Sequence, residues 1–138
     1  MTILKKSLTL LILSGLVFFG FQGCKKYEDG PAFSLRTRTE RVSNTWVVDN
    51  YKINGTDYTS LVSDYTETFT KNGNYSYKWK IVSGEGTWSF INNDAEILIT
   101  GTNNQSNVTL TILKLEEKQF WYYYMDGNEK KEFHMIEK

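Results

Sequence analysis

The sequence predicts an all-β domain, an eight-stranded antiparallel up-and-down meander closing into a small barrel, and three observations carry that prediction. From Trp46 onward, aromatic and β-branched residues alternate with Thr, Ser and Lys at the two-residue period of a strand. Turn signals such as Lys71-Asn72-Gly73, Asn93-Asp94 and Gly127-Asn128 recur at short intervals. Each hairpin defined by those turns gathers its apolar residues on one face, as a barrel core requires.

The elements follow in chain order. Residues 1–23 open with Lys5 and Lys6, continue through an apolar run from Leu8 to Phe19, and end on the small residue Gly23. That is the layout of a secretory signal peptide, and the run falls short of the roughly 20 apolar residues a membrane span needs. Cys24, the only cysteine in the chain, could serve as a disulfide half, a catalytic thiol or a lipid attachment site. It has no partner within the chain for a disulfide. The stretch FGFQGC resembles the lipobox of bacterial lipoproteins. The resemblance implies that Cys24 becomes the first mature residue and carries acyl chains such as palmitate, which anchor the protein to a membrane. Ordinary cleavage leaving a free thiol is the alternative.

Residues 24–41 read as a tether behind the lipidated cysteine. Residues 25–31 are polar and turn-prone, and Ser34 to Arg41 suits either a short helical turn or an extended arm. The domain proper is expected over residues 42–138. Its strands are predicted at residues 46–53, 64–70, 74–81, 86–92, 95–100, 107–114, 119–126 and 129–136. Cleavage before Cys24 leaves 115 of the 138 residues, with 14 basic against 16 acidic side chains. A formal charge of about −2 excludes the basic stripe that nucleic-acid binding needs.

The turns set the register. A three-residue turn at Lys71-Asn72-Gly73 pairs Phe69 with Tyr75, Glu67 with Tyr77 and Tyr65 with Trp79, which collects the aromatics on one face. A two-residue turn would oppose aromatics to threonines, and a one-residue slip flips a whole face. Asn93-Asp94 pairs Phe90 with Ile97 and Trp88 with Ile99. Gly127-Asn128 pairs Tyr122 with Phe133 and Phe120 with Met135, leaving Trp121, Tyr123, Glu132 and His134 on the opposite face. The connection lengths, with a loose link expected near Ser83–Glu85, predict long loops at one end and tight turns at the other. That pattern describes a cup with a mouth and a floor.

The chain resembles the lipocalin-like domains found as small lipoproteins in Gram-negative bacteria. The likeness rests on Asn44-Thr45-Trp46, YKING, FTKNGNY, Gly86-Thr87-Trp88 and the aliphatic segment VTLTILKL, in that order over Val42 to Ile136. Lipocalins begin with Gly-x-Trp, whose tryptophan closes the barrel floor. Trp46 matches the aromatic, whereas Asn44 stands where the glycine would be. The resemblance implies a barrel that binds or carries a small apolar ligand.

On the cup reading Trp46, Phe69, Tyr75, Phe90, Ile97, Phe120 and Met135 lie toward the floor. Tyr65, Glu67, Tyr77, Trp79, Trp88, Ile99, Leu110, Tyr122 and Tyr124 face inward nearer the mouth, with Lys131 beside them. These residues, Ile99 excepted, are the candidate ligand-binding set. A buried Glu67 needs a partner, either Lys131 or a tyrosine hydroxyl, and the bland alternative leaves it partly solvated at the rim. Two other readings stay open. In one, aromatic side chains fill the barrel and the protein is an envelope scaffold without a ligand. In the other, the outer face around Trp121 and Tyr123 binds a partner, unless Ser34–Val42 packs across it. No cofactor, metal cluster or nucleophile motif stands out, and His134, the only histidine, falls on the outer face, so an enzyme is not expected. The lipoprotein resemblance implies the outer membrane, because Lys25 stands directly after Cys24 where enteric-type lipoproteins retained at the inner membrane have Asp; the leaflet and any protein partner are unassigned.

Overall fold

The computed structural model describes Tyr27, Glu28 and residues 34–138. The expected signal peptide, Cys24 and most of the tether lie outside the described residues. A short helix α1 (Arg38–Val42) precedes nine strands: β1 (Thr45–Ile53), β2 (Thr56–Asp57), β3 (Thr66–Phe69), β4 (Asn74–Trp79), β5 (Val82–Ile91), β6 (Glu96–Asn103), β7 (Val108–Leu115), β8 (Gln119–Asp126) and β9 (Glu129–Glu137). All neighbouring pairs are antiparallel. The order runs β1-β3-β4-β5-β6-β7-β8-β9, and β9 returns to β1 to close an eight-stranded barrel. The ninth strand, β2, pairs only with the far end of β1 through Lys52 and Ile53. Closure removes the open edges that a sheet of this size would otherwise present.

The expected registers are the observed ones in three hairpins. Phe69 faces Tyr75 and Glu67 faces Tyr77 across β3–β4. Phe90 faces Ile97 and Trp88 faces Ile99 across β5–β6. Tyr122 faces Phe133 and Phe120 faces Met135 across β8–β9. Gly73 has φ +84°, the left-handed conformation a three-residue hairpin assigns to glycine. Asn93 and Asp94 have φ +57° and +60°, as both central residues of a type I′ turn must.

One connection departs from expectation. The loose link near Ser83–Glu85 does not exist. The chain turns at Lys80-Ile81 between Trp79 and Val82, and the segment Ser83–Glu85 lies inside β5. Because consecutive strands are antiparallel, this tight turn shares the mouth end with residues 54–65, 104–107 and 127–128. Short turns therefore occur at both ends, and the expected segregation of long loops from tight turns does not hold.

The floor half is solid. Trp46, Phe69, Phe120, Ile97, Leu115 and Met135 are fully buried, and Phe69 meets Phe120 and Trp88 edge-on at 5.7 and 5.8 Å. The Trp46 indole N–H donates to the Val42 carbonyl at 2.9 Å, tying the first strand to α1. That helix carries a capping box between Thr37 and Glu40. It docks at the floor through Arg41, which donates to the Leu115 carbonyl at 2.8 Å, and through Arg38, which pairs with Asp94 at 2.6 Å. Tyr27 is buried in the same cluster, and its hydroxyl donates to the Asp94 carbonyl at 3.0 Å. Burial pushes that hydroxyl's pKa up to about 12.

The arm at Ser34–Val42 thus caps the floor and does not cross the outer face of Trp121 and Tyr123. That face is covered by its own strands. His134 stacks flat on Trp121 at 4.0 Å, Lys114 sits over the same indole at 3.9 Å, and Lys130 sits over Tyr123 at 4.4 Å.

Candidate functional site: a tyrosine-lined cavity around Glu67

Strand alternation aims every second side chain of β3 inward, so Glu67 and Phe69 enter the barrel while Thr66 and Thr68 leave it. Phe69 joins the floor. Glu67, one step nearer the mouth, is 3% exposed. Above it opens a cavity of about 410 Å³, within the range of small-molecule pockets. Tyr65, Tyr75, Tyr77, Tyr122 and Tyr124 line it with Ile99, Val108 and Leu110, and residues 104–107 and Asp126 form its polar rim.

Three tyrosines drawn from different parts of the barrel converge on the carboxylate. Tyr65 and Tyr75 donate to Oε1 at 2.8 and 2.7 Å, and Tyr122 of β8 donates to Oε2 at 2.8 Å. Glu67 is therefore a buried acid held by hydroxyls, and the partly solvated rim position considered from sequence is not the one it occupies. No lysine or arginine among the described residues pairs with it; Lys131, the other partner considered, pairs with Asp126 instead. Desolvation raises the Glu67 pKa, and the three hydroxyl bonds pull it back only in part. The same burial, with Glu67 nearby, raises the hydroxyls of Tyr65, Tyr75 and Tyr122, so they remain protonated donors.

Of the nine candidate residues, the structure brings six to this cavity: Tyr65, Glu67, Tyr77, Leu110, Tyr122 and Tyr124. Trp88 lies at the floor, because its indole N–H donates to the Thr70 carbonyl of the floor turn at 2.9 Å and its ring packs on Phe69 and Phe90. Trp79 ends its strand at the rim and is 37% exposed, beside a fully exposed Ile81. Lys131 is the direct ladder partner of Tyr124 in β8–β9, but its ammonium pairs with Asp126 and it does not line the cavity.

Sequence reading missed Tyr75 and the loop at residues 104–107. Tyr75 faces the floor residue Phe69 across the ladder, yet its long side chain reaches the diagonal neighbour Glu67, a contact available to large residues on a sheet face. The loop is pinned by the Tyr77 hydroxyl, which donates to the Asn104 carbonyl at 2.9 Å, and by the Asn104 amide, which donates to the Ser83 carbonyl at 2.8 Å. Gly84 makes that approach possible: a Cβ there would overlap the Tyr77 ring and the Asn104 carbonyl. No three or more His, Cys, Asp or Glu side chains among the described residues are arranged to hold a metal ion. No family model matches the chain, and a search of curated proteins gives no match.

Proposed function

We propose that this protein is a lipocalin-like lipoprotein, anchored at the outer membrane through acyl chains on Cys24, whose barrel binds or carries a small ligand with an apolar body. The observation that carries this reading is the cavity of about 410 Å³ in the mouth half of a closed barrel. Ile99, Val108, Leu110 and the tyrosine rings would hold an apolar body there, while Glu67 and the hydroxyls at the base and residues 104–107 with Asp126 at the rim would meet the polar groups of a ligand. The side-chain-filled scaffold accounts for the floor half of the barrel interior alone, where Trp46, Phe69 and Phe120 are fully buried.

Native mass spectrometry of protein released gently from membranes tests the ligand reading. A copurified small apolar molecule is the expected result, and its absence in repeated preparations counts against the carrier. Cys24→Ser should move the protein from the membrane fraction to the soluble one; unchanged membrane retention would overturn lipid anchoring. The tether joins the floor, since α1 and Tyr27 pack there. The mouth then faces away from the anchoring membrane, and Asn103 and Asn104 should be open to labelling in anchored protein. Their protection by the bilayer would sink that orientation.

A further inference from the structure

We propose that the ligand of this cavity carries a protonated amine, which seats at the base against Glu67 while its apolar body lies between the tyrosine faces. The inference rests on the binding reading above and narrows it to a chemical class.

The hydrogen-bond polarity of the cavity base carries the argument. Tyr65, Tyr75 and Tyr122 all direct their O–H protons to the Glu67 carboxylate. A tyrosine hydroxyl has a single proton, so each, having given it to Glu67, offers the cavity only oxygen lone pairs. Oε1 accepts two of these bonds and Oε2 accepts one, which leaves Oε2 with a free acceptor site. The base of the cavity therefore accepts and does not donate. A carboxylate, phosphate or carbonyl head would meet lone pairs with lone pairs. An ammonium brings three donors and a positive charge, and it matches on both counts.

Charge points the same way. Glu67 is buried without a lysine or arginine partner among the described residues, and an unpaired buried carboxylate is costly. A bound ammonium would supply the missing counter-charge as a charge-assisted hydrogen bond.

The test compares three probes of one shape, phenethylammonium, phenethyl alcohol and phenylacetate, by isothermal titration with the mature domain at about pH 8. The ammonium is expected to bind about tenfold more tightly than the alcohol, as befits a charge-assisted contact, and phenylacetate most weakly. In Glu67→Gln, which keeps the side chain's size, the ammonium should lose its advantage over the alcohol, the ratio of the two affinities falling to about one. The wild-type protein supplies a further check. Ammonium affinity should decline as pH is lowered and Glu67 takes up a proton, while Tyr65, Tyr75, Tyr122 and Tyr124 stay protonated; the decline should persist in Asp126→Asn, which removes the other acid that lines the cavity. Alcohol or phenylacetate binding as well as the ammonium would overturn the amine assignment and leave the binding cup standing. Failure of all three probes to bind would count against both.

Discussion

Glu67→Leu isolates the energetics of the cavity base, because it removes the carboxylate and keeps the volume roughly constant. Tyr122, 1% exposed, loses its acceptor, and Tyr75, 4% exposed, keeps only the Tyr65 hydroxyl at 3.4 Å. A buried polar group left unsatisfied costs about 1–3 kcal/mol, so the two together cost on the order of 3 kcal/mol. For a barrel of this size that lowers Tm by roughly 12–24 °C. The cost also depends on pH, and its sign follows from the direction of the Glu67 shift. The folded-state pKa is raised above the unfolded value, so the stability Glu67 contributes is fully present below the unfolded pKa, about 4.3. It is lost as pH rises through the folded pKa. The destabilisation caused by Glu67→Leu should accordingly be largest near about pH 4 and shrink toward about pH 7. Urea unfolding followed by circular dichroism at both values measures it. A penalty that is independent of pH, or that grows toward neutrality, would refute the reasoning.

Four further perturbations probe the rest of the framework. Trp46→Ala empties the centre of the floor and should cost about 3–5 kcal/mol, read as a lower urea midpoint. Tyr27→Phe removes one bond to the Asp94 carbonyl and should cost about 1 kcal/mol; spectrophotometric titration should also lose one tyrosine ionising near about 12. Gly84→Ala drives a methyl into Tyr77 and Asn104 and should cost roughly 1–3 kcal/mol, with faster amide exchange at residues 104–107 than at the floor turns. His134→Ala removes the ring stacked on Trp121, and should change Trp121 fluorescence while costing roughly 1 kcal/mol of stability.

Hairpin registers were legible in the sequence because slipping any of them by one residue turns a row of aromatics outward. The Phe69–Tyr75, Trp88–Ile99 and Tyr122–Phe133 pairings follow from that constraint alone. The β4–β5 turn was not legible, and glycine chemistry explains why. Ser83-Gly84-Glu85-Gly86 reads as a flexible link, but Gly84 and Gly86 sit inside a strand where another backbone approaches too closely for a Cβ, a second use of glycine in sheets. The actual turn uses Lys80, at φ +55°, a residue type that carries no turn signal.

Moving that turn back to Lys80-Ile81 lengthens β5 to ten residues. Trp88 then sits at the floor and Trp79 at the rim, so neither joins the cavity. That Glu67 points inward followed from alternation. The convergence of Tyr65, Tyr75 and Tyr122 on it did not, because Tyr122 is 55 residues away in sequence and meets Glu67 only across the closed barrel.

Methyl NMR of the domain during titration with phenethylammonium tests the central claim most directly, because methyl groups report separately on the two halves of the barrel. Progressive shifts are expected at Ile99, Val108 and Leu110, which line the cavity, and little change at Val42, Ile97 and Leu115, which pack the floor. Shifts confined to the floor or the outer face, or none at saturating probe, would contradict a ligand site in the mouth half of the barrel.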